Sequence, residues 1–186
     1  MLKTHHRDKL LNAIVFFAAN TQNCGKTKLF KLLYLLDFEH FKTTGRSVTG
    51  LDYYAWEKGP VPIRLDGELD EPSGDLFEAI RIELEQVVNF QRLNIVPQRE
   101  FDSAHFSKRE LRLLEEIVVE YRLANAADMV EVTHAENGAW DKVWRGGEGQ
   151  NQRIAYELAL EGVADRARVE EAAHEYTETL KRVGAA

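Results

Sequence analysis

The sequence predicts a mainly helical α+β domain with a small antiparallel sheet, on three observations. Residues 27–38 are nearly all apolar, and a helix that is apolar round most of its girth has to lie inside a folded domain. Residues 51–58 form an aromatic-rich run that stops at Gly59-Pro60-Val61-Pro62. That pattern reads as a strand closed by a turn that extends neither a helix nor a ladder. Finally, Ser107 and Glu110 stand just ahead of an apolar stripe, which is the start signal of an amphipathic helix.

The elements follow in order. A first helix covers about residues 6–19, with Leu10, Ile14 and Phe17 on one face. Polar Asn20-Thr21-Gln22-Asn23 ends it. A second helix starts near Lys26 and stops before Gly45; Lys28 and Lys31, three apart, define its only wet strip. The strand at residues 51–58 places Tyr54 and Trp56 on one face with Asp52, and Leu51, Tyr53 and Ala55 on the other, core face. After Pro62 a short helical piece is interrupted at Gly67, and Glu71-Pro72-Ser73-Gly74 is a loop. Asp75 and Glu78 form a capping box for a helix to about Leu84. Residues 87–90 and 93–96 read as a hairpin.

Ser107 then caps a helix with Glu110 reciprocating and with Phe106 and Leu111 as staple. Leu111, Leu114, Val118 and Tyr121 are its stripe. Asn125 caps a short helix through Met129 and Val132, and Trp140 and Trp144 share a face of the next. Residues 145–151 are an exposed, flexible loop. A last helix from about Arg166 carries Val169, Ala173, Tyr176, Leu180 and Val183 on one side and Glu170, Glu171, Glu175 and Glu178 on the other. The chain reads as one domain over residues 1–160, with the acidic helix of 161–186 packed on it.

Composition narrows the function. The 186 residues are 44% hydrophobic and 30% charged, with a net charge of −7, an ordinary globular balance that repels phosphates overall. Nucleic acid is not the expected partner. The single cysteine, Cys24, forms no internal disulfide and points to a reducing, cytoplasmic setting. Lys3 and Arg7 precede an apolar stretch, but Asp8 and Asn12 break the signal-peptide pattern and the run is too short to span a membrane.

Catalytic motifs are weak. Gly25-Lys26-Thr27 looks like the end of a phosphate-binding loop, yet Asn20 stands where the first glycine belongs and a helix precedes it instead of a strand. His5 and His6 diverge on a helix, and His40, His105, His134 and His174 have no partner at metal-ligand spacing. His134 reads as a hydrogen-bonding element between the Val130 segment and the Trp140 helix. Paired carboxylates are helix neighbours that do not face one another. No nucleophile turn and no basic recognition helix is present. The residues therefore predict no enzyme, no cofactor and no metal. Tyr53, Tyr54, Trp56, Lys28 and Lys31 are the candidate partner contacts.

Three segments resemble the Panacea domain, the family that includes SocA-like antitoxins and phage-associated proteins. They are Leu29-Phe30-Lys31-Leu32-Leu33-Tyr34-Leu35-Leu36-Asp37 with Gly45-Arg46, then Tyr54-Ala55-Trp56-Glu57-Lys58-Gly59-Pro60-Val61, then Met129 through Thr133-His134 with Glu136 and Trp140. The similarity runs from the first helix to about Leu160. It implies an antitoxin that neutralises a cognate toxin by direct binding. A second implication is an adaptor that delivers the toxin to an ATP-dependent protease; a small nucleotide-binding enzyme is the alternative from another class. The resemblance makes Tyr34, Trp56, Gly59, Pro60, His134 and Trp140 framework residues, with partner choice set by variable surface.

Overall fold

Helix α1 (His6–Asn20) and helix α2 (Lys26–Thr44) lie against each other in a computed structural model that describes residues 4–72, 74–87, 90–135 and 138–184. α2 is the axis of the fold. Its leucines and phenylalanines are buried on nearly every side, so neighbours must surround it. α1, α5 (Lys108–Tyr121), α6 (Ala126–Thr133), α8 (Arg166–Arg182) and the sheet do so. Gly45 ends α2 in the left-handed region at φ 69°, its N–H donating to the Phe41 carbonyl. A Cβ there would come within 2.6 Å of the Val169 carbonyl oxygen, so the glycine also lets α8 approach.

The sheet beside α2 corrects one expectation. β1 (Tyr53–Trp56) pairs antiparallel with β2 (Gly59–Val61) and with β5 (Arg153–Ile154), in the order β2-β1-β5. Gly59-Pro60-Val61 is thus itself a strand, and the turn is Glu57-Lys58. Pro60 is tolerated because β2 is an edge, where its missing N–H removes no inner ladder bond. β1 alternates as expected, with Leu51, Tyr53 and Ala55 buried and Asp52 and Trp56 exposed.

α3 (Ile63–Asp70) runs through Gly67 without interruption, anchored by buried Leu65 and Leu69. α4 (Gly74–Ala79) stops five residues before the expected end at Leu84. Period-two alternation takes over instead, and β3 (Ile80–Val87) pairs with β4 (Phe90–Pro97) from Ile80↔Pro97 to Val87↔Phe90. The hairpin is therefore longer than expected, and Val88 and Asn89 lie outside the described residues, as does Ser73 of the 71–74 loop. The Asp75 carboxylate is held by Arg7 at 2.6 and 2.9 Å.

The α5 and α6 starts match their signals. The Glu110 amide donates to Ser107 Oγ at 3.3 Å and the Ser107 amide to Glu110 Oε2 at 2.7 Å. Asn125 and Asp128 form the same reciprocal box. Trp140 and Trp144 stack at 5.5 Å on α7 (Ala139–Trp144). Residues 145–151 are less open than predicted. Gly149 is buried, and the Asn151 amide donates to the Ala55 carbonyl at 2.9 Å. A 3-10 helix (Tyr156–Leu160) then leads to α8, where Val169 and Ala173 join Phe41 and Leu160 in a small apolar cluster and the Arg46 guanidinium lies 4.4 Å from the Tyr176 ring centre. Val183, expected on the same stripe, is 41% exposed. No helix among the described residues is long and apolar enough to cross a membrane.

Candidate functional site

Lys28 and Lys31 overturn the expected wet strip: both are 1% exposed. α2 is wrapped on that side too, so each amine finds partners indoors. Lys28 Nζ donates to the carbonyls of Gln22, Arg122 and Ala124 at 2.9, 3.1 and 2.7 Å. It collects backbone acceptors at the end of α5, where a cation is favoured. Lys31 Nζ donates to the Pro60 carbonyl at 2.9 Å, and desolvation pushes its pKa down to about 7. Burial disfavours the charged form, and no carboxylate among the described residues offsets it.

Lys31 stands in a polar cluster assembled from all three recognised segments. Gly59, at φ 96°, passes so close that a Cβ would lie 2.9 Å from both Lys31 Nζ and Thr133 Oγ1. Thr133 Oγ1 donates to the carbonyls of Met129 and Val130. The His134 ring stacks on Trp140 at 3.7 Å and 2°, and the Trp140 indole N–H donates to the Trp56 carbonyl at 3.0 Å. Burial raises the Tyr34 phenol, against an opposing hydrogen bond from the Trp140 backbone. His134 lies between the end of α6 and the start of α7. It stacks, and its Nε2 has no hydrogen-bond partner among the described residues. Burial, then the nearby Lys31 charge, lowers its pKa.

Asp37 is a second hub. It is 0% exposed and accepts from the Val48 and Thr49 amides at 2.8 Å each, from Thr49 Oγ1 at 2.5 Å and from the Tyr53 hydroxyl at 2.8 Å. Burial raises its pKa to about 6 against those four bonds. It pins the segment after α2 and the start of β1. The only sequence signal for it is one acid inside an apolar run. Tyr53 is accordingly interior, 0% exposed, and offers no contact surface.

The outer face of β1 is different. Tyr54 is half-buried and borders an open cleft of about 1060 Å³ together with Arg7, Ile63, Arg64, Glu68 and Asp75. Ile63 is 38% exposed and Trp56, at the end of the same strand, 36%. Arg7 ties the cleft wall by ion pairs to Glu68 and Asp75, both at 2.6 Å. Asp52 pairs with Arg153 at 2.6 Å. Aromatic and aliphatic anchors inside a charged rim are the make-up of a protein-binding surface. Arg7 and Ile63 escaped the sequence reading because nothing in linear order places them beside Tyr54.

Other groups bear on catalysis or metals. Cys24 is buried, and desolvation pushes its thiol up to about 11, which keeps it protonated and unreactive. Lys26 of the broken phosphate loop is taken up by Asp66 and Asp70, both at 2.7 Å. His5 and Asp8, three apart, and His105, about a hundred residues on, bring their ligand atoms within 4.8 Å of one another.

The fold is a helical framework locked by buried polar hubs, with an amphipathic cleft on its outer face. The family of SocA-like antitoxins with a Panacea domain matches residues 29–141, more than half of the chain, and the chain belongs to it. The match spans Lys31, Tyr34, Gly59, Pro60, Thr133, His134 and Trp140, which gather around the polar cluster, and Trp56, whose carbonyl joins it while its side chain stays outside. The chain matches no curated protein and no solved structure.

Proposed function

We propose that the protein is a non-enzymatic antitoxin, acting in the cytoplasm, that neutralises a cognate toxin by direct protein–protein binding. Family membership over residues 29–141 carries this reading. The cleft beside Tyr54 and Ile63, with Trp56 adjoining, is the contact surface the geometry favours, since Lys28, Lys31 and Tyr53 are interior. The net charge of −7 suits a basic toxin surface.

The test is to express the neighbouring open reading frame alone and together with this chain, scoring growth and co-purification. Toxicity relieved with a stable complex supports direct neutralisation. Relief accompanied by loss of the neighbour, dependent on an ATP-dependent protease, replaces it with the adaptor reading. A neighbour that is harmless on expression removes the support for both.

A further inference from the structure

We propose that His5, Asp8 and His105 form a binding site for one borderline divalent transition-metal ion, of the zinc, cobalt or nickel kind. His5 precedes α1 in the left-handed conformation, φ 52° and ψ 19°, so its ring folds back over the first turn, where Asp8 stands. His105 comes from the loop ahead of α5 and stacks on His5 at 4.1 Å and 12°. His5 Nδ1 lies 3.1 Å from Asp8 Oδ2, and His105 Nε2 lies 3.9 Å from the same oxygen. All three ligand atoms fall within 4.8 Å of one another.

An ion about 2.1 Å from each donor needs donors roughly 3.4 Å apart in a tetrahedral arrangement. Modest side-chain rotation closes that gap, and the side chains are free to rotate, being 38%, 54% and 37% exposed. Two imidazoles and one carboxylate are borderline donors, which select zinc-like ions over magnesium or calcium. The exposed side leaves a fourth position for water. Among the described residues no lysine or arginine pairs with Asp8, so no resident cation competes.

The ion would clip the start of α1 to the loop before α5, some hundred residues away in sequence. His5 and Asp8 precede the family-matched span, and His105 lies within it.

The full chain, stripped with a chelator, is titrated with cobalt(II) by visible absorption and with zinc in competition, while its melting temperature is followed. One ion per chain is expected, with a rise in melting temperature that chelator reverses. Asp8→Asn and His105→Ala should each weaken binding at least about tenfold, roughly 1.4 kcal/mol, and remove the thermal shift, with unchanged far-ultraviolet dichroism. His174→Ala, on exposed α8, should bind as wild type. Affinity weaker than about 100 µM, or equal affinity in wild type, D8N and H105A, would overturn the proposal.

Discussion

Lys31 is the residue whose placement has the clearest measurable consequence. In the folded protein its amine gives up its proton from about pH 7, whereas the unfolded chain holds it to about 10.5. Between those values the unfolded state binds more protons, so this group makes stability rise with pH. Over that whole window the change reaches about 5 kcal/mol, of which roughly 3 kcal/mol falls between pH 6 and pH 9. Urea unfolding at pH 6 and pH 9 should show the rise in wild type, and Lys31→Met should flatten it. Equal pH slopes in the two proteins would show that Lys31 is not desolvated as described. Gly59 makes a second residue-scale case. Alanine there must adopt φ 96° and push into Lys31 and Thr133. Gly59→Ala is expected to cost about 2 kcal/mol or more, read as a lower urea midpoint.

The start of α5 joins two effects at the scale of one element. Ser107→Ala removes a cap and should cost about 1 kcal/mol. Glu110 is also the partner of Lys9 at 2.6 Å, with only 15% and 5% of the Lys9 and Glu110 side chains exposed. Burial works against the Glu110 carboxylate, yet the Lys9 and Ser107 bonds hold its pKa below the usual range. Glu110→Ala therefore strands a largely buried ammonium and should cost about 3 kcal/mol, well beyond the cap alone. Denaturant midpoints of the two variants, compared side by side, check the difference; similar losses would mean that the ion pair contributes little.

For the molecule as a whole, the surface decides partner choice. Tyr54→Ala in the cleft should leave the melting temperature within a degree or two while weakening toxin binding by about thirtyfold, near 2 kcal/mol. Lys28→Met should do the reverse, destabilising the fold by about 2 kcal/mol or more as three carbonyls lose their donor, without touching the interface. If the −7 charge steers association, the on-rate with the toxin should fall as salt rises; an on-rate indifferent to salt would end that part of the reading.

The sequence alone determined what depends on neighbours in the chain: α1, α2 with its Gly45 stop, the caps at Ser107 and Asn125, and the in–out alternation of β1. It also carried the family, because the three segments keep their order. What is set by partners distant in sequence came only with the tertiary structure. Local pattern gave Lys28 and Lys31 to water, but the helices packed round α2 enclose them. Asp75 and Glu78 favoured a longer helix, yet pairing with residues 90–97 drew residues 80–87 into a strand. Pro60 suggested a stop, and an edge position made it a strand residue. The polar cluster at Lys31, the cleft beside Tyr54 and the His5–Asp8–His105 trio each join segments far apart in the chain, and the Asp37 hub closes the loop between α2 and β1. Burial and distance, which fix the chemistry of a charged side chain, are properties of that assembly and are not written in linear order.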